Sequence, residues 1–517
     1  MRYTVCILLL CSLLLPGCKP PEKEAKRPPN VVLFFVDDLG WQDTSVPFWK
    51  ARTPFNERYH TPNMERLAAE GMKFTQAYAT AVCSPTRISL ITGMNAARHR
   101  VTNWTLRKDQ LQPMETNHEN LSFPQWNVNG IDPGGTDPKA VHATPFPSLL
   151  KNAGYYTIHT GKAHFGAIGT VGEDPLNLGF TVNIAGHAAG APASYYGLEN
   201  FGNGQDKRAV WAVPGLEEYH GKEINLTEAL TVEALKELDV AVEKEQPFFL
   251  YMAHYTVHTP IMADKRYFQK YLEKGLDSIE ARYASMIEGM DKSLGDIMNY
   301  LDSKDLSDDT VILFMSDNGG LSAVARGGEL HTHNRPLASG KGSAYEGGIR
   351  EPMLVKWPGK VAPGSVSNQQ VIIEDFFPTI LEIAGVVDLE LVQEVDGQSF
   401  IPELLGEKAL SSERPLFWHY PNEWGPSGPG VGASSTVRQG DWKLIYFHED
   451  QRMELYNLAE DIGETDNRAE AEPEKVRELA KLLSDHLKNV QAQMPSDKET
   501  GIPIPYPAEA LEAVSKT

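Results

Sequence analysis

Four short runs stay largely apolar and then end abruptly in charged or reactive side chains, and this pattern restricts the fold more than any other feature. They are "NVVLFFVDD" (30–38), "YYTIHTGK" (155–162), "PFFLYMAHY" (247–255) and "TVILFMSDNGG" (310–320). Such runs suit strands buried on both faces, as in a parallel sheet covered by helices. Their length and their β-branched and aromatic content favour strand over buried helix. Amphipathic helical patterns separate them at 63–71, 227–245 and 283–301. The expected fold is therefore α/β, with a large, mostly parallel sheet sandwiched by helices, over residues 30–405. Beyond about residue 405, "RPLFWHY", "STVRQGDWKLIYF" and "MELYNL" read as short antiparallel strands, followed by a charged helix within 472–491. These define a smaller C-terminal α+β domain, 406–517. Gly-rich polar stretches at 122–147, 185–216 and 319–350 read as functional loops.

In open α/β sheets, ligands sit beyond the carboxyl ends of the strands. The four runs would bring Asp37 and Asp38, Lys162 and His164, His254 and His258, and Asp317 and Asn318 to one rim. Three carboxylates and a carboxamide form a hard oxygen-donor set. It suits Ca²⁺ or Mg²⁺ rather than zinc. Taken singly, any of these aspartates could instead be a turn or helix-capping residue.

The chain has 517 residues and four cysteines, Cys6, Cys11, Cys18 and Cys83. Three lie in an N-terminal segment with an early Arg2 and an apolar run from Val5 to Leu15, too short to span a bilayer but suited to a secretory signal. The run ends in "LPGC" and leads to "KPPEKEAKRPPN". This resembles a bacterial lipoprotein signal (1–17) with a tether (18–29), in which Cys18 carries the lipid. Pro16 is unusual there, and a plain cleaved signal is the alternative. The expected location is periplasmic or at the cell surface, with membrane attachment only through Cys18. The net charge of −21 and the lack of a basic run outside the tether argue against nucleic acid as a partner.

That leaves Cys83 as a solitary thiol in an exported body. Pro85 fits the first turn of a helix running to a stop at Gly93. Cys83 would then sit at a helix N-terminus, where backbone N–H groups favour an anion. A buried inert cysteine is the ordinary alternative, but Ser84 and Arg87 are poor neighbours for one.

"CSPTRISLITG" (83–93) resembles the signature of the formylglycine-dependent sulfatases: Cys, any residue, Pro, Ser or Thr, Arg, then Leu and Thr-Gly. Average residue frequencies make a chance match rarer than about one in 10,000. Further blocks similar to that family occur in order: "NVVLFFVDDLG", "HTPNMERLAAEGMKFTQAYA", "TGKAHFG", "VHTPI", "SDNGG" and "GKGSAYEGGIREP". They extend over roughly residues 30–357 and imply an alkaline-phosphatase-like fold. The resemblance also implies that a formylglycine-generating maturation enzyme oxidises Cys83 to an aldehyde, hydrated at rest. One hydroxyl of the hydrate would attack sulfur, and the other would allow sulfate to be expelled as the aldehyde reforms. By the same resemblance, Asp37, Asp38, Asp317, Asn318 and the modified Cys83 would hold the ion, Ca²⁺ in preference to Mg²⁺. Arg87 would hold the hydrate, and Lys162 and Lys341 would contact sulfate. His164 would serve as base, while His258 with Lys341 would assist the leaving alcohol. Ala163 and Phe165 depart from the family's usual aromatic and leucine beside the histidine, which affects the pocket wall more than the chemistry.

Export points to a sulfated carbohydrate as substrate. Candidate sugar contacts are His187, Tyr195, His331, His333, His419 and Trp424, which combine ring faces with polar tips; His254 reads as a core or supporting residue. Two other functions stay open: a phosphodiesterase or phosphonate monoester hydrolase of the same superfamily, and a catalytically silent lipoprotein that binds sulfated glycans.

Overall fold

The computed structural model describes residues 27–113, 118–387, 390–407, 410–411 and 413–514. The leader, Cys18 and nearly all of the tether lie outside the described residues. Among those residues, no helix is long and apolar enough to cross a membrane.

An eight-stranded sheet organises the larger part of the chain. Its strands are β1 (Asn30–Val36), β2 (Met72–Tyr78), β3 (Tyr156–Gly161), β4 (Val182–Ile184), β5 (Phe248–Ala253), β6 (Thr310–Ser316), β7 (Arg350–Lys356) and β8 (Ser365–Ile372). They lie in the order β4-β3-β5-β1-β6-β7-β2-β8. Only β7 runs against the rest, antiparallel to both β6 and β2. All seven residues of β1 are buried because both faces are covered. Alternation sends Val31, Leu33 and Phe35 into one core, with Ile88, Leu90 and Phe377. Val32, Phe34 and Val36 enter the other, with Leu67, Leu238 and Ile287. The helices Cys83–Thr92 and Phe376–Ile383 thus cover one face, and Pro62–Glu70, Leu226–Glu243 and Ser278–Ser303 the other.

The four apolar runs are β1, β3, β5 and β6, and they are contiguous in the sheet. The strands without such a run lie towards its two ends. The edge strand β8, "SVSNQQVI", keeps Val366 57% exposed and reads as polar for that reason.

A second sheet holds Leu416–Tyr420, Ser434–Gln439, Trp442–Phe447 and Met453–Asn457, antiparallel throughout. The helix Pro473–Asn489 packs Val476, Leu479, Leu483 and Leu487 against Val437, Leu444 and Leu455. Several buried ties join the sheets, and two of them lie beside the site. Trp418 Nε1 donates to the Ala79 carbonyl at 2.8 Å, and Lys443 pairs with Glu346 at 3.0 Å. Both ties flank segments that lead into the site, the approaches to Cys83 and to β7.

Candidate active site

Parallel running explains why distant residues meet. The carboxyl ends of β1, β3, β5 and β6 deliver Asp37 and Asp38, Lys162 and His164, His258, and Asp317 and Asn318 to one rim. Because β7 is reversed, its amino end faces the same rim, and Lys341 arrives on the approach to it. After β2, the chain turns into the helix Cys83–Thr92. Pro85 sits in the first turn, where no intrahelical N–H is needed, and Gly93 ends the helix at φ 70°. All ten helix residues are buried.

Arg87 is fully buried yet fully engaged. Its Nε and Nη2 donate to Asp317 Oδ2 at 3.0 and 2.8 Å, and Nη1 donates to the Lys162 carbonyl at 2.9 Å. Its guanidinium also lies over the Phe35 ring. Without such partners, an interior charge would cost several kcal/mol.

Lys162 Nζ donates to Asp37 Oδ2 at 2.8 Å. Lys341 pairs with Asp38, and Asn318 Nδ2 donates to Asp38 Oδ1 at 2.8 Å. Asp38 adopts φ 61°, in a left-handed conformation uncommon for a residue with a side chain. Its N–H donates to Asp317 Oδ1 at 3.2 Å. Burial and then Asp317 push the Asp37 carboxyl well above the usual range, against Lys162. Burial also raises Asp38, but Lys341 and then His258 outweigh it and hold this carboxylate well below that range.

Three oxygens in this cluster, Asp37 Oδ1, Asp38 Oδ2 and Asn318 Oδ1, are buried without a hydrogen-bond partner. Orphaned buried acceptors are costly, and three together on hard-donor side chains fit a divalent cation of the Ca²⁺ or Mg²⁺ kind. A ring nitrogen of His258 also lies within 4.8 Å of oxygens of Asp37 and Asp38. A hard ion prefers the oxygens, which leaves that nitrogen for other work. Asp317 is the most occupied member, because both of its oxygens already accept hydrogen bonds.

The two histidines present opposite nitrogens. His164, at φ 56°, lies 2.8 Å through Nε2 from the Thr105 carbonyl, so Nε2 carries the proton. Nδ1 then has a lone pair and no protein partner. Burial and then Lys162 hold the His164 pKa well below its ordinary value, so the ring is neutral. Gly190 makes room for it, since a Cβ there would lie 2.4 Å from His164 Cε1. His258 donates through Nδ1 to the Thr259 carbonyl at 2.9 Å and turns Nε2 to within 3.7 Å of Asp38 Oδ2. Burial, against the pull of Asp38, pushes its pKa down to about 4.

Cys83, His164, His258 and Lys341 line one cleft of about 510 Å³, within the usual size range of a small-ligand site. Lys162, Arg87, Asp37, Asp38, Asp317 and Asn318 are fully buried behind it. Half-exposed Trp104, Trp211 and Trp424, with exposed Arg208, form its outer wall.

Of the expected sugar contacts, Trp424 lines the cleft and the others do not. His187 packs against Tyr255, and its carbonyl accepts the His164 N–H at 3.3 Å. It lies behind His164. His333 spends both ring nitrogens on Ser322 and the Gly327 carbonyl, which braces its own loop. The buried Tyr195 hydroxyl lies 2.6 and 2.9 Å from the Tyr255 and His258 carbonyls and thus supports the His258 turn. His419 is buried in the second sheet between Ser435 and the Gln493 carbonyl. His331, at φ 63°, packs beside Gly428. His254 is a core residue, 2.8 Å from Ser293. Sequence reasoning passed over Trp104, Arg208 and Trp211. The last two lie in the Gly-rich 185–216 stretch, where a tryptophan and an arginine close together were the available signal.

A family model described as sulfatase matches residues 29–386. A second, described as the N-sulphoglucosamine sulphohydrolase C-terminal region, matches residues 340–493. A sulfatase of Formosa agariphila is 30% identical, with 98% of this chain and 97% of that protein covered. N-acetylgalactosamine-6-sulfatase of Mus musculus is 32% identical, over 77% of this chain and 70% of its own length. Among solved structures, that of Ps i-CgsB superposes with a TM-score of 0.70 at 25% identity, covering 94% of this chain and 96% of the other. The same protein is also known in complex with k-i-k-neocarrahexaose.

Proposed function

The chain belongs to the sulfatase family and is a sulfuric ester hydrolase; from that premise we propose that it removes sulfate from a sulfated carbohydrate outside the cytoplasm, using formylglycine made from Cys83. The observation that carries this reading is the convergence of Cys83, His164, His258 and Lys341 on one cleft floor. Relatives point to the sugar class: the mouse protein is named for the 6-sulfate of N-acetylgalactosamine, and the structure of Ps i-CgsB was solved in complex with k-i-k-neocarrahexaose. A 6-sulfated galactose-type sugar is therefore the first substrate to test.

Asp37, Asp38, Asp317 and Asn318 would hold a divalent ion, Ca²⁺ by preference. When bound, it would supply positive charge to the sulfate oxygens and favour an ionised nucleophile. The formylglycine hydrate would supply an attacking oxygen and a second hydroxyl that makes release of sulfate possible. Lys341 directs positive charge towards the sulfate and the departing oxygen. Lys162, bound to Asp37, keeps the carboxylate cluster from accumulating unbalanced negative charge. Arg87 fixes the helix that carries residue 83 against Asp317 and Lys162. His164 presents an unprotonated Nδ1 to the cleft and can take the proton that must leave the hydrate. His258, held by Thr259 and aimed at Asp38, stands where the leaving alcohol's proton is exchanged. The signal-like leader and the "LPGC" box support action at the periplasm or cell surface.

The test is sulfate release from defined sulfated mono- and oligosaccharides, with peptide mass spectrometry across residues 81–93. We expect turnover with formylglycine at position 83. A thiol-only, fully active enzyme would refute the proposed nucleophile, and hydrolysis of phosphate diesters without any sulfate ester would refute the substrate class.

A further inference from the structure

The cleft has a charge that the reaction does not use. None of its lining residues is an aspartate or glutamate, although the chain carries 69 of them against 48 lysines and arginines. Lys341 on the floor is balanced by Asp38. Arg208 on the wall has no carboxylate within ion-pair distance among the described residues. Its position is nevertheless fixed. Arg208 Nη1 donates to the Ala193 carbonyl at 2.7 Å, and the Ala193 N–H donates to the Trp211 carbonyl at 2.7 Å. One residue thus clamps the Arg208–Trp211 segment from both sides of its peptide, beside the Gly190 that seats His164. A guanidinium oriented through one nitrogen keeps its remaining N–H groups for a planar or tetrahedral oxyanion.

Arg208 does not serve the scissile sulfate. Cys83 is 4% exposed, whereas Arg208 is exposed and lies with the half-exposed Trp211 at the outer wall. A cleft of about 510 Å³ extends from one to the other. The tryptophans offer faces for sugar rings between them.

Resting on the reading that this site cleaves carbohydrate sulfate, we propose that Arg208 binds a second anionic group of the substrate, so that the enzyme selects polyanionic oligosaccharides over singly charged ones. The shared chemistry is an oxyanion, supplied either by a second sulfate or by a uronate carboxylate.

The experiment uses a matched series: a disaccharide with the scissile sulfate alone, the same with a second sulfate, and the same with a neighbouring uronate. Wild type, Arg208→Ala and Arg208→Lys are compared by kcat/KM. A charge-assisted pair in a cleft corresponds to roughly 10- to 100-fold. Wild type is expected to prefer at least one dianionic substrate by that factor, through KM. Arg208→Ala removes the preference and Arg208→Lys restores part of it. The preferred dianion identifies which group is read. Equal turnover of all three by wild type, or an equal loss on all three in Arg208→Ala, overturns the inference and leaves the sulfatase reading standing. Failure of wild type on every sulfate ester overturns both.

Discussion

The floor and the wall of the cleft are built on opposite principles. On the floor, Asp37, Asp38, Arg87, Lys162 and Asp317 are fully buried and held to one another by hydrogen bonds to carboxylates. Each is needed to keep another from standing as an unpaired interior charge. On the wall, Trp104, Arg208, Trp211 and Trp424 are partly or wholly exposed, and Arg208 is fixed mainly by backbone. The proposed chemistry thus sits where a single change is felt throughout the core. The proposed selectivity sits where a change stays local.

The comparison can be broken in four ways, the largest effect first. Cys83→Ala should cut sulfate release by about 10⁴-fold or more while the thermal melt stays close to wild type; retained turnover would remove residue 83 from the floor's chemistry. Arg87→Met should destabilise the fold by about 3–5 kcal/mol in denaturant titration, because among the described side chains only Lys162, at 3.8 Å, is left as a cation for the buried Asp317. A neutral result would mean that the buried pairs are not interdependent. Chelation should lower the melting temperature, and excess Ca²⁺ should restore it, by about 2.7 kcal/mol of linkage at a hundredfold excess over Kd. Asp37→Asn should abolish that difference; an ion-independent melt would mean that the three orphaned oxygens do not hold a cation. Trp211→Ala should raise KM about 2- to 10-fold with kcat little altered. A kcat effect equal to that of a floor substitution would erase the distinction between the two regions.

The same contrast explains what the sequence made legible. Strands β1, β3, β5 and β6 are covered on both faces, so burial wrote itself into their composition, and their polar ends marked the rim directly. Strands β2, β4, β7 and β8 escaped notice, the last two for different reasons. Glu351 and Lys356 give β7 a charged look although it is buried throughout, and β8 is polar because it is an edge. The motif residues of the floor were legible because strand ends dictate where they go. The histidines read as sugar contacts lie away from the cleft lining, and a ring with two polar nitrogens looks the same in sequence whether it meets a ligand or a carbonyl. His333 and His419 meet protein on both sides. Trp211 and Arg208 lie in a short 3₁₀ stretch, Asp206–Trp211, kinked at Arg208, where no periodicity says which way a side chain points.

The helix Cys83–Thr92 exposes none of its ten residues, and that has a consequence in time. A modifying enzyme would have to grasp the backbone around Cys83, which the folded protein buries. The oxidation proposed for this residue would therefore compete with folding. Its yield would be set by how long the segment stays unpacked, so a substitution that hastens the helix onto the sheet would produce a more stable protein and a less active preparation.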